Sequence, residues 1–285
     1  MELDFIATLL ILSSALMHAI SSSLYRIAGD RMVRMVVGSI FALTIMVPIA
    51  IFVPMPSLLA WKFIIPSSII IIGYQFIVIK ALEHGELSYT YPVSRGTAPV
   101  FVVLLTFLFF SHELVWIEVL GVMMVAAGVL ELALRSFKNG TIQGNLKKAT
   151  FYSLLSGLTT AVYTLIDAAG VRVVENPFSY IAWLFIIINI GVVSIIGIKR
   201  GSSFFASVYA ERKSGFVAGF FGISSYVLAL MALRIGNTIE IAALRETSIM
   251  FAILIGYFFL GEGIGIRRWI TVALISLGAV TIKFF

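Results

Sequence analysis

Apolar runs of roughly one membrane thickness follow one another along the whole chain, separated by short polar breaks. Ten can be marked out, at about 5–27, 35–53, 63–82, 87–110, 115–134, 149–170, 178–198, 214–234, 238–260 and 268–284. An α-helix crosses the hydrocarbon core with about 20 apolar residues, so the pattern predicts ten transmembrane helices. Only 135–148 (RSFKNGTIQGNLKK) is long and polar enough to join two halves. Each half then holds five spans, and an odd number turns the second half upside down relative to the first.

The halves also resemble each other. The stretch 74–113, YQFIVIKALEHGELSYTYPVSRGTAPVFVVLLTFLFFSHE, recurs in altered form at 225–262, SYVLALMALRIGNTIEIAALRETSIMFAILIGYFFLGE. Ala81-Leu82 meets Ala232-Leu233, Gly85 meets Gly236, Thr97 meets Ser248 and Glu113 meets Glu262, with an offset that stays between 149 and 151. The predicted fold is an all-α membrane protein of ten transmembrane helices in two inverted five-helix repeats, 1–143 and 144–285. Inverted repeats are a recurring plan among secondary transporters, which hold substrate near the midplane.

Composition agrees. Hydrophobic residues make up 60% and charged residues 12% of the chain, with a mean hydropathy of +1.08. A soluble domain carries about a quarter charged residues, so the solvent expected here is lipid. The net charge of +6 does not point to nucleic acid, because the basic residues sit singly at the ends of apolar runs, as at a membrane interface. The chain has no cysteine and only three scattered histidines, which leaves no thiolate site, redox motif or metal cluster. The first run follows Glu2 and Asp4 without a basic segment or cleavage site, and is expected to be a retained helix in a multi-pass cell (plasma or inner) membrane protein. Thirteen Lys and Arg residues fall on the loops of one face and four on the other; that asymmetry places both termini outside.

Several segments resemble the EamA family of the drug/metabolite transporter superfamily. They are ALEHGELSYTYPVSRGTAPVF followed by a helix ending in Glu113, MALRIGNTIEIAALRETSIMFAILIGYFFLGE with its closing Leu260-Gly261-Glu262, and HAISSSLYRIAGDR from His18. In the last, Ser21, Ser22 and Arg26 stand where a branch of the family carries Trp-Asn and Lys. The resemblance implies ten helices in two inverted halves, transport of small metabolites by alternating access, and both termini in the cytoplasm.

A charge inside a span is expensive and normally faces the bundle interior. Ser88, Tyr91 and Arg95 share one face of the fourth span, and Thr238, Arg245 and Ser248 one face of the ninth. Arginine's planar fork suits a carboxylate or phosphate, so Arg95 and Arg245 form a candidate cradle for an anionic group. In the competing reading, Arg245 pairs with Glu246 or another acid to hold the bundle together. Glu246 is either that partner or a protonatable site. Pro92 and Pro99 flank Arg95 and have no counterpart in the second half, so the fourth span is expected to open locally at an asymmetric site.

His18, Ser22 and Arg26 form a second stripe, and a shift of 141 sets Thr159, Tyr163 and Asp167 against it. His18 could relay a proton, and Asp167 could accept a substrate amine or a coupling proton. The structural alternatives are a packing role for His18, and for Arg26 and Asp167 snorkelling to the interface. Gln75, beside Tyr74 in the third span, is a candidate ligand or a polar tie between helices. Glycines 121, 128 and 278 are expected to clamp the fifth and tenth spans.

The candidate substrate-binding residues are therefore Arg95, Arg245, Tyr91, Ser248, Tyr163, Ser22 and Gln75, and the candidate coupling residues His18, Asp167, Glu246 and Arg26. The expected function is secondary active transport of a small polar metabolite with an anionic group: an amino acid, an organic acid, or a phosphate or phosphonate. A membrane-embedded enzyme or lipid-headgroup-handling protein acting on an anionic substrate is the alternative. No phosphate loop, HExxH or GxSxG motif is present, and no cofactor is expected. The expected partners are the metabolite, the lipid bilayer, and a proton or counter-substrate, with no nucleic acid, in a monomer or homodimer.

Overall fold

The structure, a computed structural model, describes residues 2–26, 30–85, 87–110, 115–138, 145–260 and 266–284. Every element among them is helical: α1 Glu2–Arg26, α2 Arg31–Phe52, α3 Leu58–His84, α4 Leu87–Phe110, α5 Trp116–Lys138, α6 Leu146–Arg172, α7 Pro177–Arg200, α8 Phe204–Ile235, α9 Thr238–Arg245, α10 Thr247–Leu260 and α11 Ile266–Phe284. A 3-10 turn at Gly201–Ser203 links α7 to α8. Seven of the helices (α1 to α4 and α6 to α8) are long and apolar enough to cross a membrane. With α5, α11 and the broken pair α9–α10, the spans number ten, five in each repeat.

Two helices reach beyond their apolar runs for one reason. The run of α2 was expected from 35 and that of α8 from 214, yet the helices begin at Arg31 and Phe204. The added segments carry Arg34 and Glu211, which pair at 3.2 Å with Arg34 fully buried. Charges that read as loop are here neutralised inside the protein. Asp30 caps α2, accepting from the amides of Met32 and Val33 at 3.1 and 3.2 Å, and is ion-paired with Arg200 at the end of α7.

The chain forms two compact units, Met1–Ile72 with Ile166–Ile235 and Gly73–Leu165 with Gly236–Phe285. Each unit draws helices from both sequence repeats.

In the first unit α8 is the central helix. Between apolar helices in lipid, association depends on close packing and interhelical hydrogen bonds, and α8 offers both. Ser14 of α1 donates to the Ser225 carbonyl at 2.6 Å, and Ser225 returns the bond to Ser14 at 2.8 Å. Ser21 donates to Ala218 at 2.8 Å. On the α2 side, a Cβ added to Gly219 would lie 2.5 Å from the Gly38 Cα. The far ends of α6 and α8 cap each other. Arg172 of α6 donates to the Leu233 carbonyl at 2.9 Å, while Arg234 of α8 donates to Val171, Val174 and Glu175 at 3.2, 3.0 and 2.8 Å. These contacts satisfy C-terminal carbonyls that would otherwise stay unpaired.

In the second unit α5 packs on α11 through the glycines expected to join them. A Cβ on Gly278 would stand 2.7 Å from the Gly121 carbonyl oxygen, and one on Gly128 would stand 3.0 Å from Leu274. Thr271 adds a bond to Glu131 at 3.2 Å. On α6, Gly157 sits beneath Thr97 of α4, and Ser94 and Ser156 are hydrogen-bonded at 2.7 Å.

Gly278→Ala should therefore destabilise the detergent-solubilised protein by about 1–3 kcal/mol, since the obstruction is backbone. In Gly197→Ala the new methyl meets nothing nearer than 3.7 Å, so the change should be neutral or gain up to about 1 kcal/mol in helix propensity. Thermal unfolding of the two variants side by side checks the contrast.

Candidate substrate site

The polar cluster of the second unit is built where the ninth span breaks. Asn237 caps α9 by accepting from Ile239 at 2.8 Å, and it donates to Glu118 of α5 at 3.2 Å. Nine residues later the helical ladder tightens: the Glu246 amide reaches the Ala243 carbonyl at 3.0 Å, and Thr247 Oγ1 donates back to Leu244 at 2.7 Å. A short 3-10 turn inside a helix commonly marks a functional hinge, and hydroxyl back-bonding favours bending. Arg245 ends α9 and Ser248 lies in the first turn of α10. The face that Thr238, Arg245 and Ser248 were expected to share is therefore interrupted between Arg245 and Ser248.

The opening expected at Pro92 and Pro99 is not present, because α4 runs unbroken from Leu87 to Phe110. A proline removes one ladder bond, here without ending the helix. The break falls in the proline-free repeat, where the tightened turn and the Thr247 hydroxyl supply the alternative bonding. The site is asymmetric as expected, but in the opposite sense.

Arg95 and Glu246 are both buried, at 5% and 2% exposure. Their ion pair is single-pronged: Arg95 Nη1 to Glu246 Oε1 at 3.2 Å. Arg95 Nε donates to the Tyr91 hydroxyl at 3.4 Å, and its guanidinium lies 5.6 Å from the centre of that ring. Tyr163 of α6 meets Tyr74 of α3 edge-on, with ring centres 5.7 Å apart. Arg245 lies within electrostatic reach of Glu246 and of Tyr74. The structure thus gathers Tyr74, Tyr91, Arg95, Tyr163, Arg245 and Glu246 in one unit. Ser248 is buried beside Glu246 in the chain, and Gln75 is half-buried next to Tyr74.

The remaining candidates belong to the first unit. Asp167 is wholly buried rather than snorkelling, and accepts from Ser67 at 2.5 Å, from Tyr180 at 2.8 Å and from Tyr226. Three hydroxyls on three different helices thus take the place of water around one carboxylate. The stripe that joined Tyr163 to Asp167 in the sequence is divided, one residue serving each unit. His18 and Ser22 are half-buried on α1, and it is Ser21, not Ser22, that bonds to α8. The side chains of Arg26 and Ser88, together with Glu113, Gly261 and Glu262, lie outside the described residues. Asn189 is satisfied within its own helix, donating to Phe185 at 2.7 Å.

Sequence reasoning missed the hydroxyl ring of Asp167 and the burial of Arg34. It set Glu246 beside Arg245 and gave Arg95 no acidic partner. The repeat offset of 151 that matches Thr97 to Ser248 also matches Arg95 to Glu246, and these are the residues that bond.

An all-helical chain of ten spans with an internal repeat and buried charges at a broken helix defines a polytopic membrane transporter architecture. A profile of the EamA-like transporter family matches residues 5–134 and 147–284, and the chain belongs to that family. A relative from Sinorhizobium sp, described as an uncharacterized transporter in the cobO 3' region, is 27% identical over 137 residues, 47% of this chain and 96% of that protein. A solved crystal structure shares 16% identity and superposes with a TM-score of 0.74 over 98% of each chain, which supports the fold. Family and relative point to a membrane transporter of small molecules rather than an enzyme.

Breaking a buried pair from one side costs about 3–5 kcal/mol. Arg95→Glu and Glu246→Arg should each destabilise by that order, and the double exchange should recover most of the loss. Thermal unfolding of the four proteins in a double-mutant cycle measures the coupling.

Proposed function

We propose that the protein is a secondary active transporter that moves a small polar metabolite with an anionic group by alternating access. The observation that carries the reading is the pair of buried arginines, Arg95 and Arg245, gathered with Glu246 and three tyrosines at a break in a membrane helix. Buried charges at membrane depth are costly and mark substrate or ion pathways. Arg95 commits only one of its two Nη groups to Glu246, so the outer edge of the fork remains for an oxyanion. Tyr74, Tyr91 and Tyr163 supply apolar walls with hydroxyl tips. The broken ninth span gives a local bend that can change the placement of Arg245 and Glu246 without unfolding a long helix. Asp167, His18 and Arg26 serve coupling to a proton or counter-substrate in this scheme. The repeats 1–143 and 144–285 are its structural basis, and a cell membrane is its location.

The test is uptake into proteoliposomes of labelled amino acids, organic acids and phosphonates. Transport of a substrate found in this way should fall at least about tenfold in Arg95→Ala and in Arg245→Ala, the loss expected when a charge-assisted bond worth 1.5–3 kcal/mol is removed. Uptake that survives both changes in folded protein would remove the cradle.

A further inference from the structure

Where α7 turns into α8, at one end of the first unit, the second helix is longer than a membrane requires. The 32 residues of α8 rise about 48 Å, against a hydrocarbon core about 30 Å thick. Part of the excess lies at its N-terminal end. Glu211 accepts from the Asp30 amide at the start of α2, and residues 204–210 of α8 precede that contact. They are not a polar overhang, because Phe205 and Tyr209 are 81% and 66% exposed. Phe205, Tyr209, Arg212, Phe216 and Phe220 follow at helical spacing on one face, and all are exposed. The neighbouring face, with Gly215, Ala218 and Gly219, is buried against α1 and α2.

Arg212 is the charge in this aromatic stripe. Its Nη1 donates to the Tyr209 carbonyl at 2.7 Å, and its guanidinium lies 3.7 Å from the centre of the Tyr209 ring, a cation–π stack. The side chain is thereby held in place by its own helix. The acids at this end are committed elsewhere: Asp30 caps α2 and pairs with Arg200, while Glu211 pairs with Arg34 and accepts from Ser214 at 2.8 Å. Arg212 and Lys213 have no acidic partner among the described residues, and Lys199 is exposed at the end of α7.

Three occupants can be weighed against that pattern. Water would solvate the charges but leave Phe205, Tyr209 and Phe216 uncovered. A soluble acidic protein would meet the charges but not Phe216 and Phe220, which lie inside the apolar run of α8. An anionic phospholipid meets both, its phosphate on the arginine fork and its acyl chain along the aromatic rings. We propose that the α7–α8 corner binds an anionic phospholipid, with Arg212 as the phosphate ligand, Tyr209 as its positioning residue and Lys213 as a second charge. The site is separate from the Arg95 cluster and does not rest on the transport reading.

The probes are phosphatidylglycerol, phosphatidylcholine and inorganic phosphate, added to the purified full-length protein in a neutral detergent. Native mass spectrometry counts retained lipid, and the thermal midpoint reports stabilisation. Phosphatidylglycerol should bind saturably and at least about fivefold more tightly than phosphatidylcholine. Arg212→Gln should weaken phosphatidylglycerol about fivefold, the loss expected for one basic contact at an anionic lipid surface. Tyr209→Leu, which keeps the charge but removes the ring beneath it, should lose part of the same preference. Lys62→Gln, at an exposed lysine near the start of α3, should leave it unchanged. The comparison of lipids in the wild-type protein needs no variant. Equal affinity for the two lipids, or a preference that survives Arg212→Gln combined with Lys213→Gln, overturns the site. Inorganic phosphate that binds there as tightly as phosphatidylglycerol overturns the lipid assignment.

Discussion

The polar cluster at the helix break of the second unit is centred on one pair of opposite charges held out of water. Neither Arg95 nor Glu246 could remain ionised alone at its depth, since removing a charge from water costs several kcal/mol even after the protein relaxes. The pair fixes α4 of the first repeat to the α9–α10 break of the second. It does so at equivalent positions, 151 residues apart, and symmetry sharpens the point. Identical residues at the two positions would bring like charges together. Arginine in one repeat and glutamate in the other turn that repulsion into attraction, and the same substitution makes the site polar in a directional sense. The asymmetry of the backbone follows it: α4 stays continuous despite two prolines, and the glutamate side carries the break.

Within each unit, the helices meet in ways suited to a solvent that offers no hydrophobic reward for association. The contacts that join them are small residues and hydroxyls: Gly219 on Gly38, Gly278 on Gly121, Gly157 under Thr97, and the reciprocal serines 14 and 225. Charge serves the helix ends. Arg172 and Arg234 each close the other's helix, and Asp30 caps α2 while pairing with Arg200. Basic residues that a count of loop charges assigns to the lipid interface are thereby employed in protein contacts, with Arg34 the extreme case at zero exposure. Such residues weaken an orientation drawn from counting alone, because the positive-inside bias concerns loop charges near the span ends.

The number of spans and the repeat were legible because both are written in long-range periodicity: about twenty apolar residues per crossing, and an offset near 150 that recurs along the chain. The glycines of α5 and α11 were legible because small residues in apolar helices have few other uses. The break at Glu246 was not, since ETS in an apolar run carries no glycine or proline, and its cause is a local competition between ladder bonds and the Thr247 hydroxyl. The proline signal in α4 pointed to the wrong repeat for the same reason: removing one bond does not decide whether neighbouring bonds hold. Tyr163 and Asp167 share a helical face by spacing, yet they enter different clusters, because spacing reports a face and not what lies opposite it. The partners of Asp167 come from α3, α7 and α8, and no local pattern names them.

That division places a mechanical constraint on the fold. Both α3 and α6 contribute to the two units, with boundaries at Ile72/Gly73 and Leu165/Ile166. Tyr163 and Asp167 stand four positions apart on α6, about 6 Å of helix rise, and the segment between them contains neither glycine nor proline. That turn therefore lacks the residues at which helices commonly kink. In α3 the same passage includes Pro66, which frees the carbonyl of Lys62, and Gly73, whose missing side chain has nothing within 4 Å to pack against. Glycine in an open part of a helix lowers the cost of bending without serving close contact. Of the two helices shared by the units, α3 carries a proline and an open glycine near its boundary, whereas α6 carries neither between Tyr163 and Asp167.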